Sequence, residues 1–221
     1  MLTFMKNVKK VLGKDGAQSA IHYQKGRAYA SNRYSCIWVE DPSGREGAVD
    51  VTSNLAIEDA QIPDYSKILP ELRGNEPYAT ADIDELAEFH AVLKAVIACA
   101  SSPRIVDCVL LVWCGDGLTA YVREKQLRVS YRFSGTIELL GLKGGQTFYA
   151  AFDARRLCDL VDYLRQRKAQ VRIYASASRR SLLRMEVNPD ITAAVPAGGL
   201  IAPLTRFEEE RFADVIPSKA E

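Results

Sequence analysis

The spacing of apolar residues along the chain predicts three amphipathic helices. Two of them, residues 83–99 and 153–168, have apolar side chains at every third or fourth position. Asp82 and Asp153 stand where N-caps are expected, and Glu85 follows Asp82 at the spacing of a capping box. A lysine-rich segment, residues 4–14, shows the same helical spacing and ends at glycines.

Strands are predicted where apolar residues alternate with polar ones or form short continuous runs. The predicted strands are residues 19–24, 27–40, 49–52, 56–57, 106–114, 118–123, 126–131, 136–140, 147–152, 171–175, 182–187 and 193–195, and residues 207–215 are predicted as a short amphipathic helix. From residue 78 to 196 the order of helix and strands repeats once, and the first 60 residues look like one half of the same unit. This internal repeat predicts an α+β protein made of similar modules.

Composition is that of an ordinary globular chain, with 221 residues, 48% hydrophobic and 26% charged. There are 29 basic and 28 acidic residues, a net charge of +1, which argues against wholesale wrapping around nucleic acid but allows a basic face balanced by acid elsewhere. No run of about 18 apolar residues and no secretory segment is found, so we expect a cytoplasmic protein. The cysteines lack metal-ligand spacing and are expected to be reduced thiols: Cys36, Cys99, Cys108, Cys114 and Cys158.

No motif for catalysis, metal binding or cofactor binding is present. His90 lies on the apolar stripe of its helix, so we expect a packed histidine rather than a base or ligand. Asp82, Asp84 and Glu85 are better explained by helix capping than by a metal site. Residues 141–147 lack the order of a phosphate-binding loop and precede a strand, which indicates a hairpin turn. The sequence therefore predicts a protein that is not an enzyme and needs no cofactor.

Residues 62–70 read IPDYSKILP and have no helical periodicity, which predicts a shaped, extended connector. This nonapeptide resembles the FPDYRRVLP-like junction between two domains of the bacterial sliding clamp, the beta subunit of DNA polymerase III. Residues 27–34 are similar to a clamp strand that reads approximately ATDGHRL. Residues 147–161 resemble the stretch that leads into a helix of the last clamp domain, and residues 193–196 resemble the clamp's terminal strand.

The resemblance implies a sliding-clamp fold, with antiparallel sheets outside and paired helices on the inner face. The implied organisation is a partial domain (1–61), a connector (62–77), a full domain (78–199) and a C-terminal extension (200–221). The implied function is that of a DNA replication processivity factor, which encircles duplex DNA as a homo-oligomer and tethers a polymerase or other clamp-binding proteins.

Two sets of site residues follow from the resemblance. Cations on the inner helices would contact DNA phosphates without reading sequence; they are Lys6, Lys9, Lys10, Lys14, Lys94, Arg155, Arg156, Arg165 and Arg167. An apolar groove would hold a partner peptide; its residues are Ser31, Tyr34, Pro63, Lys67, Ile68, Val195 and Pro196.

The chain departs from the clamp pattern in several places. The Asp-Gly-His-Arg of the family becomes Asn32-Arg33-Tyr34-Ser35, and the Met-Pro-Met terminus becomes Val195-Pro196-Ala197. The chain also has about one and a half domains, whereas bacterial clamps have three. Two alternatives therefore stay open: a clamp-fold protein that binds replication proteins without encircling DNA, and an α+β enzyme or small-molecule binder.

Overall fold

The computed structural model describes residues 1–12, 20–69, 78–99, 108–114, 117–123, 127–134, 137–138, 147–174, 180–191 and 194–216. Their α-helices are α1 (Leu2–Leu12), α2 (Tyr65–Ile68), α3 (Ile83–Cys99) and α4 (Ala154–Arg165), and a 3-10 helix spans Glu209–Phe212. Their strands are β1 (Ala20–Gln24), β2 (Arg27–Ser31), β3 (Ser35–Glu40), β4 (Gly47–Asp50), β5 (Tyr78–Ala81), β6 (Cys108–Cys114), β7 (Gly117–Arg123), β8 (Arg128–Arg132), β9 (Ile137–Glu138), β10 (Phe148–Asp153), β11 (Val171–Tyr174), β12 (Leu183–Val187) and β13 (Ala197–Ile201).

The strands form two antiparallel sheets. The larger sheet has the order β4-β1-β2-β3-β13-β12-β11-β5-β9, and the smaller has the order β10-β6-β7-β8. We name three modules after their helices: the α1 module is α1 with β1–β3, the α3 module is β5, α3 and β6–β8, and the α4 module is β10, α4 and β11–β13. The strand that leads into α3 joins the sheet of the α4 module, because β5 pairs with β11, and the strand that leads into α4 joins the sheet of the α3 module, because β10 pairs with β6. This exchange interlocks the α3 and α4 modules, whose helices pack against one another.

The α1 module joins the α4 module through the pairing of β3 with β13. Gly199 lies opposite Ile37 in this register. A Cβ atom at Gly199 would lie 2.4 Å from Leu160 Cδ1 and 2.8 Å from the Cys36 carbonyl oxygen. Glycine is therefore needed where α4 presses on the seam between the two modules.

The main core lies between the helices and the inner faces of both sheets, and it includes Phe4, Leu93 and Tyr163. Alternate strand residues point to the opposite, outer faces. On the larger sheet the junction covers a cluster around Tyr29 and Trp38. On the smaller sheet the C-terminal tail, residues 202–216, packs with Leu204, Phe207 and the buried Phe212 on residues such as Leu110 and Tyr149.

Most predicted elements are confirmed to within a few residues. The limits of α3 match the prediction, and the predicted capping box forms, with the Glu85 N–H donating to Asp82 Oδ1 at 2.8 Å. Asp153 caps α4 as predicted, because its side chain accepts bonds from two backbone N–H groups. Residue 14, the turn predicted within residues 141–146 and the end of the strand predicted at 139–140 lie outside the described residues.

Three predicted elements are wrong. The strand predicted at 27–40 is two strands, because Asn32 Oδ1 accepts the N–H groups of Tyr34 and Ser35, both at 2.8 Å, and turns the chain. The last strand is β13, not residues 193–195, because its glycines fit the crowded seam with β3. The junction is not wholly extended, since Asp64 caps the single turn of α2.

Two further differences are smaller. The helix predicted at 207–215 is reduced to the 3-10 turn Glu209–Phe212, which places Phe212 in the apolar cluster on the smaller sheet. The helix predicted to reach residue 168 ends at Arg165, and Lys168 has a positive φ of 53°.

Among the described residues no helix is long and apolar enough to cross a membrane. No group of three or more His, Cys, Asp or Glu side chains in that part of the chain could hold a metal ion. All five cysteines are free thiols.

Replacing Gly199 with Ala should destabilise the protein by about 1–3 kcal/mol, because the added methyl group overpacks the seam against Leu160 and the β3 backbone. Chemical denaturation measures the change. Ser130→Thr is a suitable control, because it also adds a methyl group to a strand but at an exposed position. An unchanged midpoint for Gly199→Ala would contradict the seam packing described here.

Candidate nucleic-acid interface and partner groove

Three helices lie side by side in the order α1, α4, α3, and the Asp162 carboxylate joins them. Asp162 is buried on α4, and its Oδ2 accepts a hydrogen bond from Lys10 Nζ of α1 at 2.5 Å. Its Oδ1 lies 2.6 Å from Arg165 Nη2 and 3.6 Å from His90 Nε2 of α3. The carboxylate therefore links α4 to α1 by a hydrogen bond and lies close to His90 of α3.

The residues around Asp162 determine the protonation states of Asp162 and His90. Burial alone would raise the pKa of Asp162, but hydrogen bonds from Lys10 and Arg165 outweigh it and lower the pKa to about 2. Burial lowers the pKa of His90, and the charge of Asp162 only partly opposes this. Asp162 is therefore ionised and His90 neutral near pH 7, as expected for a packed histidine. The carboxylate neutralises cations that would otherwise repel one another inside the helix layer.

The predicted DNA-contacting cations divide into two groups. Lys6 and Lys9 of α1, Lys94 of α3 and Arg155 of α4 have exposed side chains. Lys10 and Arg165 are brought together on Asp162, so part of their charge is already compensated within the chain.

Two more arginines of α4 and its C-terminal turn lie against aromatic rings. The Arg156 guanidinium stacks on Tyr34 with its carbon 3.9 Å from the ring centroid. Arg167 stacks on Tyr163 and donates a 2.6 Å hydrogen bond to its hydroxyl. Both cations are partly buried, which limits their contact with a phosphate. Lys14 lies outside the described residues.

Tyr65 anchors the junction to the outer face of the larger sheet. Its ring is fully buried and stacks on Tyr29 at 4.1 Å between centroids. Its hydroxyl lies 2.8 Å from Ser31 Oγ and 2.6 Å from His22 Nδ1. A neutral phenol donates only one hydrogen, so one of these partners must donate to it. Burial raises the pKa of Tyr65, which keeps this hydroxyl protonated.

The predicted groove residues around the junction are brought together. Ser31 touches Tyr65, while Pro63, Lys67 and Ile68 are exposed on and beside α2. Ile68 presents an apolar side chain that is 38% exposed. These residues form a surface that an apolar peptide side chain could contact.

The other groove residues are divided between the two ends of β3. Tyr34 precedes the strand and is 49% exposed, whereas the Pro196 carbonyl accepts the N–H of Glu40 at its far end. Six extended residues separate these points by about 20 Å. Val195 and Pro196 therefore lie away from Tyr34 and do not complete one continuous groove with it.

The sequence prediction missed the segment that does reach Tyr34. After β13 the Ala202 N–H donates to the Tyr34 carbonyl at 2.7 Å, and Pro203 follows. The available signal was the apolar run Leu200-Ile201-Ala202, which is followed by another proline, Pro203. Ala202 and Pro203 thus occupy the position that residues 195–196 were predicted to fill.

A cleft of about 460 Å³ lies beside the junction and was also missed. It is bounded by the β1–β2 turn, the loop after β3 and α2, and its lining includes Lys25, Arg27, Glu40, Tyr65 and Leu69. These residues are separated in sequence, so no local motif marked the cleft.

Replacing Tyr65 with Phe should lower the free energy of unfolding by about 1–3 kcal/mol. The substitution removes the hydroxyl group with which Ser31 and His22 form hydrogen bonds at a partly buried site. Thermal or urea unfolding measures the loss. Tyr34→Phe is a matched control at a half-exposed ring, where we expect a change below about 0.5 kcal/mol. Equal effects of the two substitutions would argue against the anchoring role of Tyr65.

Acid should destabilise the protein in two steps. Burial lowers the pKa of both His22 and His90, so the unfolded chain binds more protons and stability falls as the pH drops through about 6.5. The contribution of Asp162 is present above its unfolded pKa of about 4 and is lost toward a folded pKa of about 2. Urea midpoints measured from pH 8 to pH 2 test this.

The Asp162→Asn variant should have a smaller second step and keep the first, since Asp64 and Asp214, whose pKa values are also lowered by hydrogen bonds, remain. It should also be less stable at pH 7, since Lys10 and Arg165 lose their shared anion. A variant with the same pH profile as the parent chain would exclude Asp162 as the source.

Comparison with known proteins places this arrangement among solved folds. No family model and no curated protein sequence matches the chain. Its structure matches the beta sliding clamp of Caulobacter crescentus with a TM-score of 0.65 and 16% identity, over 93% of this chain and 63% of that one. It matches the DNA polymerase III beta subunit of Thermotoga maritima with a TM-score of 0.67 and 14% identity, over 94% of this chain and 64% of that one.

The beta subunit of Streptococcus pyogenes DNA polymerase gives a TM-score of 0.65 at 10% identity, over 92% of this chain and 63% of that one. The chain therefore spans a little under two thirds of the length of the clamps it matches. Its two antiparallel sheets and its layer of packed helices confirm the predicted α+β class. At identities of 10–16% the structural similarity shows the fold alone. The chain has the fold of the bacterial DNA sliding clamps.

Proposed function

We propose that the protein is a clamp-like processivity factor without enzymatic activity, which holds duplex DNA as an oligomer and tethers replication proteins. The observation that carries this proposal is the helix layer. It presents Lys6, Lys9, Lys94 and Arg155 on exposed helix positions, whereas the junction and the tail cover the outer faces of the sheets.

Such a layer suits DNA contact that does not depend on sequence. Lysine and arginine on helices neutralise phosphates and need no base contacts. Asp162 compensates Lys10 and Arg165, and Lys6, Lys9, Lys94 and Arg155 remain as further exposed cations of the layer. The near-zero net charge then favours weak, mobile contact over tight wrapping.

Partner binding is proposed on the outer face. The exposed residues around α2, including Pro63 and Ile68, supply an apolar surface, and Lys67 supplies a polar rim. Tyr34 lies apart from this surface, because its ring stacks on Arg156 of α4. A short peptide with one apolar anchor fits a surface of this composition.

A clamp-fold protein that binds replication proteins without encircling DNA is the second candidate. It is favoured by the internal use of cations, because Lys10, Arg165 and Arg167 all have partners within the chain.

The two candidates differ in how they retain DNA. Encirclement predicts an oligomer that stays on nicked circular duplex DNA and is lost when the DNA is linearised. Mass measurement with and without the circle, before and after linearisation, separates them. A strict monomer in both conditions excludes encirclement, and retention that does not depend on circularity favours simple binding.

The Lys6→Glu/Lys9→Glu double variant should weaken duplex binding, because both exposed cations lie on the helix layer. The slope of log affinity against log salt should fall by about 1–2, one unit for each lost phosphate contact. Titration of a labelled duplex at several salt concentrations measures this.

Lys25→Glu/Lys67→Glu is the matched control. It makes the same charge change at exposed lysines of the β1–β2 turn and α2, away from the helix layer. Equal losses for the two double variants would show that net charge, not the helix layer, governs binding.

A further inference from the structure

The C-terminal tail, residues 202–216, lies on the smaller sheet in the manner of a bound peptide. Leu204 makes the first contact, because its N–H donates to the Ala151 carbonyl at 2.8 Å. The residues after Leu204 form no strand pairing, and the N–H groups of Val215 and Ile216 donate to a carbonyl of the tail itself. This part of the tail can therefore separate from the sheet by local opening, without breaking a strand ladder.

Apolar side chains of the tail cover a platform on the outer face of β6 and β10. Phe212 is 1% exposed and packs with Leu110, Val112 and Tyr149 in a cluster that is separate from the main core. The main core lies on the opposite, inner face of the same strands. Lifting the tail would thus leave the main core in place and expose a contiguous apolar patch. Patches of this kind are typical of protein interaction sites.

Arg123 supplies a prearranged cation beside this platform. Its Nη1 donates to the carbonyls of Val122 and Val129, both at 3.2 Å, which fixes the guanidinium on β7 and β8. Its Nη2 donates to Asp214 Oδ2 of the tail at 3.0 Å, and this hydrogen bond lowers the pKa of Asp214. The strands themselves therefore position a group that recognises a carboxylate.

We propose that this outer face is a second docking surface for a partner protein, and that the tail is a ligand which the partner displaces. The partner segment has the chemistry of the tail: an aromatic side chain at the position of Phe212, and a carboxylate two residues later for Arg123. A second apolar side chain takes the position of Phe207, whose ring lies 6.0 Å from that of Phe212. This surface is distinct from the one around α2, so it goes beyond the proposed function.

The way in which the tail is attached makes displacement feasible. A tethered ligand acts at an effective concentration of about 1 mM, so it can occupy its site with little affinity of its own. The tail has one fully buried side chain, Phe212, and an ion pair through the half-exposed Asp214. A partner of the same chemistry with further contacts elsewhere can therefore replace it. The exposed Arg128 also acts on Asp214, which favours an acidic partner segment over a basic one.

A labelled peptide of residues 203–216 tests this surface on the full chain. The tail competes in the parent chain, so we expect weak binding there. The double variant Phe212→Ala/Asp214→Asn removes both anchors of the tail and leaves the sheet unchanged, so the peptide should bind at least about tenfold more tightly. Fluorescence anisotropy measures the dissociation constants, and circular dichroism checks the fold.

Variants of the peptide test the two recognised groups. Phe212→Ala in the peptide should weaken binding by more than about tenfold. Asp214→Asn should weaken it by about threefold, and this loss should disappear when the chain also carries Arg123→Gln. Glu210→Gln is the matched control, because it removes the same charge at an exposed position and should leave binding unchanged.

A cleavable chain gives a second arm if the double variant is not folded. A protease site inserted between Thr205 and Arg206, which are both exposed, is cut after the full chain has folded. The released tail should then exchange with the labelled peptide.

A peptide that binds the double variant no more tightly than the parent chain overturns the proposal, as does a cleaved tail that does not exchange. Equal effects of Asp214→Asn and Glu210→Gln would exclude the assigned contact with Arg123. A labelled single-stranded oligonucleotide is the competing ligand, because tyrosines and arginines on a sheet also bind bases and phosphates. Binding of the oligonucleotide without binding of the peptide would overturn the assignment to a protein. None of these measurements uses duplex DNA, so failure here is distinct from failure to retain circular DNA.

Discussion

The antiparallel pairing of β3 with β13 is the constraint on which the remaining structure depends. It joins the α1 module to the interlocked α3 and α4 modules and makes one continuous larger sheet. Gly199 allows α4 to lie close to this seam. As a result α1 lies beside α4, and Lys10 reaches Asp162. The geometry of the seam therefore determines how α1 is placed in the helix layer.

The cations of the helix layer either pair with Asp162 or remain exposed, and a cation that is paired has less charge available for other contacts. Lys10 and Arg165 are compensated by Asp162, which links α1 to α4. Cations further out, such as Lys6 and Lys94, are exposed. The number of lysines and arginines on a helix therefore overestimates the positive charge that is available to a phosphate. This distinction follows from packing between helices and is invisible to a count of lysines and arginines.

Periodicity and capping chemistry were sufficient to predict α3, α4 and most strands, because their signals are local. Asp153 and the Asp82–Glu85 box mark helix starts within three residues. The errors occurred where a distant contact decides the structure. Gly198 and Gly199 are poor strand residues in isolation, yet β13 forms there because only glycine fits against Trp38 and Leu160. Tyr65 was recognised within a motif, but its bonds to Ser31 and His22 required the fold. The predicted groove residues are separated along β3 because the last strand is β13 and not residues 193–195.

The C-terminal tail has a practical consequence for experiments on the protein. Phe212 is buried on the outer face of the smaller sheet, and Asp214 bonds to Arg123 there, so the tail is held on the side away from α3. Ala213 lies between these two anchors and is exposed. A cysteine introduced at this position, in a chain whose exposed Cys99 is replaced with serine, would carry a fluorophore that reports on the molecule's rotation. Its position leaves the helix layer unobstructed for single-molecule tracking.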